Sequence, residues 1–539
     1  MTFDKVKVSS YFNRAVSLKE EISPTLNEVL RYTDVSYQIL DERRSTPVFR
    51  DIEPVTTNSI TSLVNFIMSQ LFTRGGTWAS LEVNETLFKG QSGDTSDITN
   101  ETDIRRINEQ LEKNTATVFQ YINSSNYYTE IAKAVRDVIV LGTGCYVIRE
   151  QNSISKPFTY EYKSLDNLLF LEDAYGRPRY IFNMMYDIDK TTLLDRFGQS
   201  NITIPDRLNN SESSTVDILE CVIPEYIEQT GTTVYNYYVV TNDYNTVIVE
   251  KTLRYNPFVL FRWNLESGLQ YGIGLGIKGL KTFKDLEEFK KIRKEQALKI
   301  VNPPLKATGD KSLIHNITLE PGFINYGGTG GSSNIGSVIN DFSLEPVITT
   351  QSLMPIDQDI LKAEADIRDI FLSNPLGNNT DYKGRTATET QARMELFRQR
   401  WSGSFELLQQ ELLEPTLINP FVIMVEKNFI TFDIENFDFT NTIYINELSR
   451  YSEIEKVERV NQFITTSYNS SQVCEAVGIK KDELIEYYAD CFRVPLDIRF
   501  SPEELQGLAE QQRQYAMQLM AQQQIEQQQQ AIQQGVVNE

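Results

Sequence analysis

A long charged helical stretch between Leu280 and Val301 sets the terms for everything around it. Its apolar residues, Leu280, Phe283, Leu286, Phe289 and Ile292, fall at three-residue steps, and such steps rotate steadily around a helix of about 3.6 residues per turn instead of forming one stripe. A helix wetted on one side keeps its apolar side chains on the other, whereas this one asks for neighbours on two sides. A ring in which each copy lies between two others supplies them; the alternative is a solvated charged helix on the surface of a monomer. Lys281, Lys284, Lys290, Lys291, Arg293, Lys294 and Lys299 stand against Asp285, Glu287, Glu288 and Glu295 in this stretch, a local excess of three positive charges. Pro303 and Pro304 end it, since neither can donate the helix hydrogen bond.

That excess contrasts with the chain as a whole, whose 52 Lys and Arg and 74 Asp and Glu give a formal net charge of −22. Phosphate binding rests on clustered Lys and Arg, so the overall field excludes a tight nucleic-acid binder and leaves local or transient contact. With 40% apolar residues in 539, large cores are available and global disorder is excluded. The single histidine, His315, rules out multi-histidine metal sites. It lies in a loop-rich stretch without a nucleophile elbow and reads as structural or exposed. Cys145, Cys221, Cys474 and Cys491 form no CxxC pair and are expected as reduced, buried thiols, with no zinc site. The first residues lack the apolar core of a signal peptide, and no segment approaches the roughly 20 apolar residues that span a bilayer. A soluble intracellular product without a membrane partner is expected.

Along the chain, the pattern is helical from Ser9 to about Gln70, interrupted at Pro24 and Pro54, and strand-like from Thr77 to Val83. A second helical stretch, about Asp103 to Val140, stops at Leu141-Gly142-Thr143-Gly144. From Cys145 to Trp263, β-branched and aromatic runs broken by Asp173-Ala174-Tyr175-Gly176 and Thr241-Asn242-Asp243 predict an antiparallel β region on the N-terminal helices, an α+β body. Residues 305–350 read as a loop-rich insertion with a few short strands. A helix after Pro355 carries the stripe Ile356, Ile360, Ala363, Ile367, Ile370 and ends at Asn374-Pro375. The polar loop 376–385 follows, with Lys383 and Arg385. The next helix opens on the capping box Thr386-Ala387-Thr388-Glu389, runs along Phe397, Trp401, Phe405, Leu408 and Leu412, and bends or ends at Pro415. A short β-like stretch spans about Phe429 to Tyr444. Residues 447–500 form a helical unit, and the tail from Ser501 holds 14 Gln in 39 residues, helical where copies bury its apolar positions or else a disordered polar tail.

Gly274-Leu275-Gly276-Ile277-Lys278-Gly279 matches GxGxxG, which admits a nucleotide-dependent enzyme using the 272–279 glycines. A dinucleotide site needs a second strand ending in an acidic residue about 20 positions on, and here the helix runs through that point into Pro303-Pro304. The simpler reading is a flexible bend into a long helix. No P-loop pattern is present in the sequence, and no carboxylate pair is singled out by spacing.

Ordered landmarks tie these segments together: Leu71-Phe72 before Thr77-Trp78 and Leu81; Leu141-Gly142-Thr143-Gly144; Asp173-Ala174-Tyr175-Gly176; Asn256-Pro257 leading through Tyr271-Gly272 into the long helix; Val301-Asn302-Pro303; Gly384-Arg385-Thr386-Ala387-Thr388-Glu389; Gln409-Gln410-Glu411-Leu412; and a Gln- and Met-rich end after Pro502-Glu503-Glu504. In this order they resemble the portal protein, or head–tail connector, of short-tailed bacteriophages, podoviruses of the autographivirus type, over about residues 55–530. The Gly-rich stretch 326–332 and Asn378-Asn379-Thr380 depart from that pattern.

The resemblance implies a non-enzymatic ring of about twelve copies at one capsid vertex of the virion, assembled in the host cytoplasm, through which double-stranded DNA is packaged and ejected. It implies a portal fold with an α/β wing (residues 1–272), a two-helix stem (273–302 and 355–373) and a small clip (303–354). A tunnel loop (374–386), a long wing helix and return (387–446), a helical crown (447–500) and a C-terminal helical barrel (501–539) complete it. Implied partners are the terminase large subunit, the major capsid and scaffolding proteins, the tail adaptor and internal core proteins; no cofactor or metal is implied. Lys383, Arg385, Asn378 and Asn379 would line the DNA channel, with Lys281, Lys284, Lys290, Lys291, Arg293 and Lys294 on the stem.

Overall fold

The computed structural model describes residues 3–34, 36–37, 48–49, 52–72, 74, 78–83, 101–151, 153, 155–198, 202–210, 214–227, 232–308, 319–327, 343–346, 353–371, 403–404, 406–431 and 442–446. The chain divides into two units, residues 1–77 with 116–434, and residues 78–115 with 435–539. The expected tunnel loop, crown and barrel, His315, Cys474 and Cys491 lie outside the described residues.

Helix α1 (Lys5–Thr33) begins where the Asp4 carboxylate accepts the backbone N–H groups of Val6 and Lys7. It runs through Pro24, where the sequence suggested an interruption. Proline there removes one donor, and Glu20, whose carbonyl loses it, sits on the exposed side. The buried face continues on both sides of it through Lys19, Ser23, Leu26 and Leu30, and Ser23 donates its hydroxyl to the Lys19 carbonyl. A two-residue ladder, β1 (Ser36–Tyr37) with β2 (Val48–Phe49), precedes α2 (Pro54–Leu71), in which Pro54 takes the first turn where its missing N–H costs nothing.

In the second unit, β3 (Ala79–Val83) pairs antiparallel with β15 (Thr442–Asn446), Leu81 opposite Tyr444. This unit also holds α3 (Glu101–Ser124) as far as Thr115.

The second helical stretch is two helices, because α3 stops at Ser124 and α4 (Tyr127–Val140) starts after Asn126. The Asn126 side chain donates to the Tyr160 carbonyl at 2.7 Å and accepts the Tyr160 N–H at 3.0 Å, behaving like a strand neighbour. The expected β region follows, antiparallel throughout. Strands β4 (Thr143–Glu150), β5 (Phe158–Lys163) and β11 (Phe258–Arg262) form one sheet in the order β11-β4-β5. Strands β6 (Leu168–Glu172), β7 (Pro178–Ile188), β8 (Val216–Ile227), β9 (Thr232–Thr241) and β10 (Val247–Leu253) form a five-stranded meander, with α5 (Lys190–Phe197) and α6 (Asp206–Asn210) between β7 and β8. The turn at Asp173 closes β6 onto β7: its carboxylate accepts the N–H of Tyr175 and Arg177, and Gly176 adopts φ +75°.

Strand alternation gives the meander two faces. On one, Leu169, Leu171, Phe182, Met184, Leu219, Cys221, Ile223, Tyr238 and Val240 meet Val8 and Ala15 of α1 in one core cluster. Phe12 stands edge-on to Phe182 at 5.9 Å. A fully buried side chain of this size contributes about 1.5–3 kcal/mol. Beyond the sheets come α7 (Leu275–Val301) and a three-stranded unit of β12 (Leu305–Thr308), β13 (Ile324–Gly327) and β14 (Ser343–Pro346), with β12 parallel to β13 and antiparallel to β14. Then follow α8 (Met354–Ile370) and, after a π-helical turn at Gln409–Leu413, α9 (Glu414–Glu426).

The glycines before α7 are not a flexible bend. A Cβ on Gly142 would lie 2.2 Å from the Gly272 carbonyl oxygen, and one on Gly274 would lie 2.5 Å from the Gly142 nitrogen. Backbone packs on backbone here, and Gly142 also needs φ +95°. At Pro415, where the sequence suggested a bend or an end, the helix changes register: with no proline N–H for the Glu411 carbonyl, the turn widens and the Glu414 N–H bonds the Gln409 carbonyl.

Candidate functional site

Helices α7 and α8 form an antiparallel pair. Phe283 stacks on Phe371 with centroids 6.0 Å apart and planes 9° from parallel, Lys290 meets Glu364 at 3.1 Å, and Arg293 pairs with Asp357. Phe283, Leu286, Ile360, Ala363 and Ile367 are buried along the seam, as the α8 stripe anticipated. The pair is tied to the N-terminal helices by Lys284 to Glu28 of α1 and Lys290 to Glu53 ahead of α2. The ammonium of Lys290 loses hydration by burial, yet hydrogen bonds to Glu53 and Glu364 raise its pKa overall.

Three of the six stem cations singled out from sequence, Lys284, Lys290 and Arg293, thus hold the chain to itself. Lys281, Lys291 and Lys294 are exposed and form no ion pair among the described residues. Lys383, Arg385, Asn378 and Asn379 lie outside the described residues. Apolar side chains are also left uncovered on the pair: Leu298 is 52% exposed, Val301 84%, Met354 69% and Leu361 63%.

Where strand β11 meets the π-helical turn ahead of α9, a buried charge cluster fixes the geometry. Arg262, 1% exposed at its side chain, ends the apolar strand β11 and uses all five guanidinium N–H donors. Nε donates to Glu411 at 3.1 Å, Nη1 to Glu172 and to the Gln270 carbonyl at 3.0 Å, and Nη2 to Glu411 and to the Gly176 carbonyl at 2.8 Å. The Arg262 backbone N–H adds a bond to Glu411 at 3.0 Å. Burial raises the Glu411 carboxyl above its usual range, with Arg262 opposing that shift. Glu411 sits in the π-helical turn, so this lock holds the register change in place.

A second cluster joins the two sheets. Glu220 of β8, fully buried, takes Arg149 of β4 and the Tyr237 hydroxyl, both at 2.5 Å, and Asn183 at 3.1 Å. Burial alone would raise its pKa, but Arg149 and Lys163 outweigh this and hold the carboxyl at about 2. At the end of α4, burial pushes Asp137 up to about 7, against the Tyr162 hydroxyl it accepts and the nearby Arg136.

Sequence reasoning missed both locks. The visible signal for the first was one arginine closing the apolar run Phe258-Val259-Leu260-Phe261. The GxGxxG glycines hold no cofactor cradle, because Gly142 and Val140 fill the space beside Gly274 and Gly276, and β11 is antiparallel to its neighbour. Cys145 and Cys221 are buried free thiols raised by burial, as expected for reduced cysteines. Among the described residues no group of three or more His, Cys, Asp or Glu could hold a metal ion, and no helix is long and apolar enough to cross a membrane. A polar cleft of about 380 Å³ beside Glu172, lined by Tyr11, Arg14, Asp173, Tyr180 and Gln270, carries no nucleophile and base pair.

Buried charge fastens sheets and helices in this body, and the helix pair keeps apolar side chains exposed. The family model described as bacteriophage head to tail connecting protein matches residues 14–498, and the chain belongs to that family. It is a phage portal protein, a structural component of the virion at the capsid vertex where head meets tail. No curated protein matches the chain.

Proposed function

We propose that the protein works as a ring of about twelve copies of the short-tailed phage type, enclosing a channel for double-stranded DNA during packaging and ejection. The observation that carries this is the exposed apolar surface of the helix pair at Leu298, Val301 and Leu361, which a single chain leaves in water. Sequence periodicity supports it too, since α7 has half-buried Leu280, Phe289 and Ile292 around its cylinder.

In this reading α7 and α8 are the stem, and the three-stranded unit within 303–354 is the clip, which receives the terminase large subunit and then the tail adaptor. The α+β body is the wing, facing major capsid and scaffolding proteins, while residues 447–500 and 501–539 form crown and barrel toward the internal core proteins. Residues 374–386 carry Lys383 and Arg385 into the bore as local phosphate contacts, in a channel whose acidic remainder limits adhesion. Assembly takes place in the host cytoplasm.

Negative-stain electron microscopy of the purified full chain, with mass measured across concentrations, tests the ring. Particles with a central hole are expected. Protein that never exceeds a dimer refutes the proposal.

A further inference from the structure

We infer that the exposed lysines of α7 face the exposed aspartates of α8 in a neighbouring copy, so that every contact between copies is basic on one side and acidic on the other. This rests on the ring reading above and adds which side chains meet. The two helices carry opposite charge: α7 has eight Lys and Arg against four Asp and Glu, and α8 has two against five. Within one chain that complementarity is used only in part, through Lys290 with Glu364 and Arg293 with Asp357, while Arg368 turns back on Glu364.

What remains is unequal. On α7, Lys281, Lys291 and Lys294 are exposed; on α8, Asp359, Asp366 and Asp369 are exposed, and none of the six forms an ion pair among the described residues. Glu287, Glu288 and Glu295 also face outward on α7, and Lys362 on α8, so the match is a bias of whole faces and not an unbroken row. Spacing sharpens the bias. Lys291, Lys294 and Leu298 follow at three and four residues, which places them along one strip of α7, with Glu287 one turn ahead on the same strip. Asp359 and Asp366, seven residues apart, share one flank of α8, with Lys362 between them. On α7 the exposed Leu298 lies beside Lys291 and Lys294, the layout of an apolar contact with a basic rim.

The observed register sets the levels. Phe283 lies opposite Phe371, Lys290 opposite Glu364 and Arg293 opposite Asp357. Where the pair runs along the ring axis, rotation from one copy to the next preserves height. Lys291 and Lys294 of one copy then come level with the stretch around Asp359 of the next, with Asp366 about one helical turn from Lys291. A contact of this kind is head-to-tail, because the basic helix of each copy meets the acidic helix of its neighbour, and such contacts form a ring where the rotation between copies closes.

Charge reversal with rescue tests the pairing in the full chain. The variants are K291E/K294E, D359K/D366K and the two combined, followed by native mass spectrometry and sedimentation velocity at ~0.1 M salt. Each two-site variant should raise the concentration for half assembly at least about tenfold, about 1.4 kcal/mol per interface. The combined variant should return most of the way to wild type. Circular dichroism confirms that each variant folds, and K291Q/K294Q with D359N/D366N replace any that does not, with smaller shifts of the same sign expected. Wild-type protein that never forms rings refutes the ring reading and this pairing with it. Wild-type rings with unaltered assembly in either variant, or a combined variant no better than its parents, overturn the pairing alone. Reversal at the lysines that changes DNA retention and leaves assembly intact assigns them to the bore and likewise overturns it.

Discussion

Replacing Arg262 with Met tests whether the lock between β11 and the π-helical turn ahead of α9 carries the stability its geometry implies. The substitution keeps an unbranched side chain of similar reach and removes all five donors, so Glu411 loses both of its guanidinium contacts while its surroundings stay buried. Breaking a buried pair by removing one partner costs about 3–5 kcal/mol, because the other charge is left without compensation. The loss expected for R262M at pH 8 lies in that range, read from equilibrium urea unfolding followed by circular dichroism. The pH dependence has a definite sign. Burial already holds the Glu411 carboxyl above its usual range, and without Arg262 it rises further, so the folded state binds a proton that the unfolded state releases. Stability of the variant should therefore fall as pH rises from about 5 to 8, narrowing the deficit at the acid end. Adding E411M should recover at least half of the loss, since paired replacement by apolar groups is close to neutral. A loss under about 1 kcal/mol, or a double variant whose cost is the sum of the singles, would refute the argument.

Two other perturbations separate the forces at work in the body. Gly142→Ala should cost more than about 2 kcal/mol, because its Cβ meets the Gly272 backbone, whereas Gly176→Ala, at similar φ but with open space around it, should cost about 1 kcal/mol; thermal melts of the pair decide between close packing and backbone conformation alone. Asp137→Asn should flatten stability against pH between about 4 and 7, because a carboxyl raised to about 7 by burial stabilises the fold at low pH and loses that contribution as pH climbs through its folded value. A slope as steep in D137N as in wild type would place the titration elsewhere.

The sequence made legible what is local. Proline positions marked the end of α7 and the start of α8, and the stripe through Ile360, Ala363 and Ile367 identified the face α8 buries. Alternation and turn residues located the antiparallel region, down to the turn at Asp173. What local patterns could not convey was partnership at a distance. Arg262 and Glu411 are 149 residues apart, Arg149 and Glu220 are 71 apart, and neither carboxylate differs in sequence from any other. The glycines before α7 were visible, but their reason is another glycine over a hundred residues earlier. Pro24 misled for the opposite cause, since packing on both sides carries the helix across a single missing hydrogen bond.

The distance between Arg262 and Glu411 also orders events in time. A ribosome adding about 5–20 residues per second needs roughly 7–30 s to pass from one to the other. Throughout that interval β11 lacks its carboxylate, and both helices of the pair, residues 275–301 and 354–370, are made before it ends. The helix pair is thus synthesised before the body that bears it can close. Until Glu411 reaches Arg262, a finished helix pair projects from an unfinished body, which makes the Arg262 contact a late step in closing the subunit.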